Sequence, residues 1–233
     1  MIWSWIPGNA GLIWQYTAQN AWLGLSSALL GLVISVPLGI ACVRWRLLYP
    51  PVLTITNALY AIPSLALFVV LIASTGLSDL TVIIPLTLFS LCVLVPNVVD
   101  GLRSVPEPVR QAATAMGFGA LRRLVQVELP VAVPVIAAGL RVATVSSISL
   151  ASLGQLIGVS SLGYFFIDGL QRDFPTEIFV GMFLVIVLAL VADLVLVTIR
   201  RLLTPWQRGR ESGARPYPVA PRPIGSSVPE AAA

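Results

Sequence analysis

The sequence contains no lysine and no histidine, and all 14 of its basic residues are arginine. Without lysine there is no phosphate-binding lysine of the G-x-x-x-x-G-K-[ST] type and no amine for a Schiff base. Without histidine the chain lacks an imidazole base and the commonest metal ligand of proteins. We therefore expect no catalytic residue, no metal and no cofactor in this chain, and we expect it not to be an enzyme.

Charge of either sign is also scarce. Only 10% of the 233 residues are charged, 57% are hydrophobic and the mean hydropathy is +0.92, whereas a soluble domain carries about 25% charged residues. Because so few charges do not cover a water-facing surface, most of the surface must face lipid. The two cysteines, Cys42 and Cys92, lie in apolar runs, so we expect two reduced thiols and no disulfide.

Five apolar runs are long enough to cross a membrane as helices, for which about 20 residues suffice. Charged residues at their ends set their limits, and the predicted spans are about 21–43, 52–74, 80–99, 131–154 and 178–199. The sequence therefore predicts an all-α integral membrane protein with one transmembrane domain over 21–203.

Arginines predict the orientation of these spans. They follow the first span at 44–46, lie between the third and fourth spans over 103–123, and follow the fifth span at 200–201. Five alternating spans put these three segments on one side, and loops on the cytoplasmic side are rich in arginine. We therefore expect the N-terminus outside and the C-terminus in the cytoplasm.

The two ends of the chain differ from the transmembrane domain. Residues 1–20 contain three tryptophans and a tyrosine, which is typical of the membrane–water boundary, so we expect a periplasmic or interfacial segment there. Residues 204–233 are rich in proline, glycine and serine, a composition that does not form a packed core. This part is predicted to be a disordered cytoplasmic tail.

Small and polar residues recur inside two spans. Along the first span small residues follow one another at i+4 spacing, at Ser27, Gly31, Ser35 and Gly39. Such a stripe is typical of close helix packing in lipid. In and just after the fourth span hydroxyl and amide side chains are more frequent than packing requires, so they are interpreted either as packing groups or as the lining of a transport pathway.

Arg141 and Asp193 are ionisable residues inside the fourth and fifth spans. Ionisable groups at membrane depth mark functional sites by default. Both side chains also have a structural interpretation, because Arg141 can extend to the near surface and Asp193 can do the same or pair with an arginine. Both interpretations stay open.

The segment at about 101–130, between the third and fourth spans, is too long and too regular for a plain connection. Pro106 and Glu107 suit the start of a helix, and Gly117 suits the left-handed residue that follows a helix end. Apolar residues then recur at helical spacing over 121–125. The segment is predicted to be a helix, a glycine turn and a second helix at the membrane surface.

One pattern in this segment is specific. Gln111-Ala112-Ala113, three residues, Gly117, nine residues, and then V-x-L-P over 127–130 resembles the EAA loop of the permease subunits of ATP-binding cassette (ABC) importers, which have the MetI-like transmembrane domain. In that family the loop is the coupling helix that sits in a groove of the ATPase subunit. The family usually has glutamate where this chain has Gln111, which removes one charge but keeps a hydrogen-bonding side chain.

The resemblance implies that a group of residues in this segment contacts or supports the ATPase. These residues are Arg110, Gln111, Ala112, Ala113, Gly117, Arg122, Glu128, Leu129 and Pro130.

Further segments resemble the osmoprotectant permeases of the same family. YAIPSLAL at 60–67 is similar to their "IPSLAL" segment, and VELP at 127–130 and GLRVATV at 139–145 are similar to their "VELP" and "GIRTATV" stretches. The resemblance extends over about residues 20–205. Val142 departs from it by replacing a threonine, and methionine permeases share parts of these segments.

The resemblance implies an ATP-driven importer for an osmoprotectant such as glycine betaine, choline, carnitine or proline, in the plasma membrane of a prokaryote. The implied partners are an ABC ATPase dimer, a second copy of this permease or a similar one, an extracytoplasmic substrate-binding protein and membrane lipid, with no nucleic acid. Since this chain has no P-loop lysine, ATP hydrolysis is expected on a separate subunit.

Seven polar residues are candidates for lining the pathway: Asn57, Tyr60, Ser64, Asn97, Thr144, Ser147 and Gln155. Two alternatives to an osmoprotectant importer stay open. One is an ABC permease for another small solute such as methionine, and the other is a passive channel or membrane scaffold.

Overall fold

The computed structural model describes residues 5–204, which form helices and short connections with no strand among them. In chain order the helices are α1 (Trp5–Gly8), α2 (Ala10–Arg44), α3 (Tyr49–Ala61), α4 (Ser64–Thr75), α5 (Asp79–Arg103), α6 (Glu107–Ala115), α7 (Ala120–Arg123), α8 (Leu129–Ala151), α9 (Tyr164–Gln171) and α10 (Pro175–Leu203). Residues 1–4 and all but the first residue of the predicted 204–233 tail lie outside the described residues.

Among residues 5–204, four helical runs are long and apolar enough to cross a membrane: α2, α5, the run Ala120–Ile157 that contains α7 and α8, and α10. The predicted first, third, fourth and fifth spans lie within them. α5 is the centre of the bundle, because it packs along both α2 and α8, while α10 packs on the outside of α8. The described part of the chain is therefore an all-helical membrane bundle.

The second span differs from the prediction. The sequence predicts one continuous span over 52–74, but the structure divides it into α3 and α4, bent by 92°. Pro63 has no N–H and disfavours the α conformation at Ile62, whose backbone is extended (φ −72°, ψ 129°). α3 and α4 contain 13 and 12 residues, or about 20 Å each, so neither alone crosses about 30 Å of hydrocarbon. The predicted second span is therefore a broken pair of helices and not one continuous helix.

The first helix is longer than predicted. Residues 1–20 are expected to form a separate segment, but α2 begins at Ala10 and continues for 35 residues to Arg44, a length of about 52 Å. No glycine or proline lies between residues 12 and 23 to end a helix. The helix therefore continues across the boundary predicted after residue 20, and only the four-residue α1 is separate from α2 in the described residues.

The small residues of α2 bring its backbone close to two neighbouring helices. The predicted stripe from Ser27 to Gly39 is buried. A Cβ atom on Gly31 would lie 2.7 Å from the Cβ of Ser90 in α5, and one on Gly24 would lie 2.9 Å from the Cα of Ile148 in α8. Because real Cβ atoms do not approach that closely, a side chain at either glycine would push the helices apart.

A buried asparagine fixes the end of the bundle opposite the 101–130 segment. The Asn20 Nδ2 donates to the Ile148 carbonyl at 3.0 Å, and the Asn20 Oδ1 accepts from the Ser152 hydroxyl and the Leu162 N–H, both at 3.3 Å. A buried amide needs such partners, and these bonds tie α2 to the end of α8 and the turn that follows. Asn20 is not predictable from the sequence, since one asparagine in an apolar run carries no spacing signal.

Candidate functional site

α6 has distinct signals at both of its ends. Pro106 precedes the helix with an extended backbone (φ −59°, ψ 139°), and Glu107 occupies the first turn. At the other end the Gly117 N–H donates to the Thr114 carbonyl and the Phe118 N–H donates to the Ala113 carbonyl. Gly117 has φ +82°, which glycine adopts without the steric cost of a Cβ. The chain reverses direction there and enters α7.

Glu128 is the electrostatic centre of the 101–130 segment. Its side chain is buried, and its Oε1 lies 2.9 Å from the Arg123 Nε and 3.8 Å from the Arg110 Nε. The Arg110 guanidinium also donates to the Leu102 carbonyl at 2.6 Å, and the Arg123 guanidinium donates to the Thr114 hydroxyl at 3.0 Å. These contacts connect α6, α7, the last turn of α5 and the start of α8.

A π-helical turn over Leu124–Glu128 allows the contact between Arg123 and Glu128. In an α-helix, two residues that are five positions apart differ by about 140° around the helix axis, so their side chains point to different sides. In the π-helical turn the Leu129 N–H donates to the Leu124 carbonyl, five residues earlier, so residues five apart lie above one another. Leu129 and Pro130 then begin α8 without a break.

Two members of this network, Arg123 and Thr114, are not predicted from the sequence. No α-helical spacing relates Arg123 to Glu128, so a pattern search has no reason to pair them. Arg122, which is predicted to contact or support the ATPase, lies outside the network. Its guanidinium stacks over the Phe118 ring at 4.5 Å and donates to the Gln126 amide oxygen at 3.0 Å.

The hairpin formed by α6 and α7 leaves an exposed surface away from the bundle. Ala113 is buried, whereas Gln111 and Ala112 beside it are exposed. Two large apolar side chains are also uncovered, with Met116 69% and Leu121 79% exposed. Apolar side chains exposed on a segment outside the spans are typical of a surface that contacts another protein.

Arg141 and Asp193 form an ion pair between α8 and α10. The Arg141 Nε and Nη2 donate to the two oxygens of the Asp193 carboxylate at 2.6 and 2.7 Å. Of the two alternatives that the sequence leaves open for Asp193, the structure shows pairing with an arginine. Both side chains are partly exposed, at 34% and 27%, so the pair lies at the surface of the bundle.

Three pathway candidates lie at or near the break between α3 and α4. Tyr60 is 56% exposed, and its ring meets the edge of the Phe89 ring at 5.9 Å between centroids. The Asn57 amide oxygen accepts from the Cys92 thiol at 3.1 Å. Ser64 is the first residue of α4. The structure thus places Asn57, Tyr60 and Ser64 on one broken element with an exposed tyrosine.

The other four pathway candidates contact neighbouring parts of the chain. Thr144 and Ser147 are buried in α8, and the Ser147 hydroxyl lies 3.2 Å from the hydroxyl of Ser90 in α5. The Asn97 amide donates to its own helix and faces Gly139 of α8. The Gln155 amide oxygen accepts from a backbone N–H six residues later, at residue 161. These contacts favour the packing interpretation for this group.

Within residues 5–204 the cysteine, aspartate and glutamate side chains are not gathered into any group of three that could hold a metal ion. Both cysteines are free thiols, Cys42 buried and Cys92 partly buried.

Comparison with known proteins identifies a family over most of the chain. Residues 12–209 match the family described as "Binding-protein-dependent transport system inner membrane component". Osmoprotectant import permease protein OsmW of Salmonella typhimurium is 34% identical over 202 residues, which cover 84% of this chain and 94% of that protein. Choline transport system permease protein OpuBD of Bacillus subtilis is 35% identical over 89% of this chain and 92% of its own length. A glycine betaine/carnitine/choline transport system permease protein of the same species, OpuCD, is 33% identical.

Solved structures show the same fold. A chain of the MetNI methionine ABC transporter in an inward-facing conformation superposes with a TM-score of 0.72 and 22% sequence identity, covering 84% of this chain and 97% of that one. At this identity the likeness concerns the fold alone.

Proposed function

The chain belongs to the family of binding-protein-dependent transport system inner membrane components, and from this premise we propose that it is the permease subunit of an ATP-driven importer for an osmoprotectant. Membership confirms the resemblance found in the sequence and makes the chain a multi-pass protein of the inner membrane. The observation that carries the proposal is the 101–130 segment, an exposed hairpin tied by Glu128 to two spanning helices.

The proposed role of this hairpin is to contact the ATPase in the cytoplasm and to transmit its movement. Arg110 links α6 to the last turn of α5 through the Leu102 carbonyl. The helical run Ala120–Ile157 continues from α7 into α8. A displacement of α6 by the ATPase therefore moves the ends of two spans together, and such coupled movement is what alternating access requires.

The other subunits of the proposed importer carry the remaining functions. Since this chain has no lysine, ATP hydrolysis takes place on a separate ATPase subunit. A binding protein delivers the substrate, in keeping with the family description. A second permease, identical or similar, covers the break between α3 and α4, whose residues 61–63 are exposed in the isolated chain. Non-helical backbone at membrane depth is tolerated only against protein or a water-filled cavity.

The proposed substrate class follows from the relatives and from Tyr60. The similar permeases are named for osmoprotectants, choline, carnitine and glycine betaine. Choline, carnitine and glycine betaine each carry a weakly hydrated quaternary ammonium group, which aromatic faces attract by about 0.5–2 kcal/mol per ring. Tyr60 is exposed beside the broken element, and discontinuous spans are where many transporters bind substrate. We therefore place the pathway along α3 and α4, between two permease subunits.

Co-purification with the ATPase tests the coupling role. Gly117→Val places a β-branched residue at φ +82°, which disfavours the turn after α6, so we expect the variant to lose the ATPase. Gly119→Val is the matched control, because Gly119 has φ −65° and no atom within 4 Å of an added Cβ. If the wild-type chain binds no ATPase, or if both variants retain it equally, the coupling role is wrong.

Competition for uptake tests the substrate. In vesicles that contain the assembled importer and its binding protein, we expect unlabelled choline or carnitine to compete with labelled glycine betaine, and methionine not to compete. Competition by methionine alone would instead identify an ABC permease for an amino acid.

A further inference from the structure

A cavity of about 550 Å³ lies between the last turns of α2 and the 101–130 segment. One wall is apolar and comes from α2, including Ile40 and Ala41. The opposite side, formed by the end of α5 and the segment that follows it, carries Arg110, Arg123 and Glu128 together with four apolar side chains. Arg44, at the end of α2, also lines the cavity. The cavity is thus largely apolar, with three arginines and one carboxylate in its lining.

The lining of the cavity carries more positive than negative charge. Three arginines face one carboxylate, and Glu128 is already shared by Arg123 and Arg110. The buried Nε of Arg110 has no hydrogen-bond partner. Among residues 5–204 the guanidinium of Arg44 has no ion pair or hydrogen bond. The cavity therefore offers N–H donors and net positive charge to an anion.

The cavity also lies at the level where phospholipid headgroups are found. Arg44 is the last residue of the spanning helix α2, and the residues that follow it are Trp45 and Leu47, whose side chains are 61% and 90% exposed. An exposed tryptophan next to arginines at the end of a span is typical of the membrane–water interface. Basic pockets at the ends of spans are known to hold anionic headgroups.

We infer that this cavity binds one anionic phospholipid. Its phosphodiester accepts from the guanidinium groups of Arg44 and Arg110, and an acyl chain lies along Ile40 and Ala41 of α2. Charge complementarity and the mixed lining select this occupant, because a free anion would leave the apolar lining residues uncovered. The bound lipid would connect α2 to the 101–130 segment. The ion pairs and hydrogen bonds of Arg110, Arg123 and Glu128 join this segment to α5 and α8 but not to α2.

Lipid retention by the purified importer complex tests this inference independently of transport. The complex is exchanged into nanodiscs of equal parts phosphatidylglycerol and phosphatidylcholine, extracted into detergent, and analysed for bound lipid by native mass spectrometry. Arg44→Gln removes the guanidinium that has no ion pair or hydrogen bond among the described residues. Arg46→Gln removes the same charge two residues away, at an exposed residue outside the cavity lining, and is the matched control.

We expect one phosphatidylglycerol to remain on the wild-type chain and on Arg46→Gln, with retention reduced about fivefold in Arg44→Gln, the factor that one arginine contributes near an anionic surface. Arg44→Lys is expected to restore retention. Ala41→Leu narrows the cavity on its α2 side without changing the charge, and is expected to reduce lipid retention. This variant keeps the test valid if Arg44→Gln does not fold.

Three outcomes would overturn the inference. Equal retention of phosphatidylcholine would show an unspecific lipid shell. Equal loss in Arg44→Gln and Arg46→Gln would show a general effect of surface charge. Displacement of the lipid by inorganic phosphate at millimolar concentration would identify a free anion as the ligand. None of these outcomes affects the proposed transport function, since retention is measured without ATP or substrate.

Discussion

We expect Asp193→Asn to destabilise the membrane bundle by about 2 kcal/mol, because it leaves Arg141 without its carboxylate partner. An unpaired arginine at the centre of a bilayer costs about 2.5–3.5 kcal/mol. Asp193 precedes Arg200 by seven residues on α10, so the pair lies about 10 Å inward of that arginine. This depth is about two-thirds of the distance from the membrane surface to the bilayer centre. We scale the cost of an unpaired arginine by the same fraction, which gives about 2 kcal/mol.

The partner substitution Arg141→Met is expected to cost a similar amount, since it leaves the carboxylate unpaired. The double variant Arg141→Met/Asp193→Asn is expected to cost only about 1 kcal/mol, because exchange of an intramembrane ion pair for uncharged groups is close to neutral. The coupling energy of this double-mutant cycle is therefore about 3 kcal/mol. The free energies of unfolding are measured by SDS titration in mixed micelles.

Arg172→Met is the matched control for this cycle. Arg172 pairs with Asp168 at 3.1 Å, four residues earlier on α9, but the Arg172 side chain is 64% exposed. An exposed pair at this spacing contributes about 0.3–0.5 kcal/mol. If the costs of Arg141→Met and Asp193→Asn simply add in the double variant, or if the control costs as much as Arg141→Met, the ion pair does not stabilise the bundle in the way described.

Three further predictions concern other parts of the chain. Glu128→Gln removes the charge shared by Arg110 and Arg123, and is expected to lower the substrate-stimulated ATPase activity of the assembled importer at least tenfold. Glu107→Gln, at an exposed residue, is the control and is expected to leave this activity unchanged. Equal activities of the two variants would show that the ion pairs do not transmit movement. Gly31→Leu is expected to destabilise the bundle by at least 1–3 kcal/mol, because the added side chain meets Ser90. Gly11→Leu, whose added Cβ has no atom within 4 Å, is expected not to lower the free energy of unfolding, since leucine favours a helix more than glycine does. Tyr60→Ala is expected to raise the KM for a quaternary ammonium substrate by about 2- to 30-fold and Tyr60→Phe to leave it nearly unchanged, so equal KM values for the two variants would exclude an aromatic contact.

Hydropathy and small-residue spacing predict much of the bundle, because a helix that crosses lipid needs about 20 apolar residues and packs closely where its residues are small. Four spans follow from long apolar runs, two of which contain a single ionisable residue. The stripe that includes Gly31 predicts the close contact of α2 with its neighbours. The break at Pro63 is the counterexample. A proline after an extended residue indicates a bend, but the hydropathy of 52–74 is continuous, and it conceals the 92° angle between α3 and α4.

The candidate site is predictable where it depends on local backbone and unpredictable where it depends on packing. Gly117 stands out because a left-handed glycine commonly follows a helix end, and its φ is +82°. Arg123 does not stand out, because its contact with Glu128 depends on a π-helical turn. The pairing of Arg141 with Asp193 spans 52 residues of sequence and depends on how α8 and α10 pack, which the sequence of either helix alone does not specify.

Accumulation of labelled glycine betaine inside sealed vesicles tests the central claim most directly. The vesicles carry this chain, its ATPase and any second permease, with ATP enclosed on the side of the 101–130 segment and the binding protein on the other side. The account predicts an internal concentration above the external one with ATP, and no accumulation with a non-hydrolysable analogue or with Gly117→Val. Equilibration to equal concentrations whether or not ATP is hydrolysed would contradict it and would identify a passive channel.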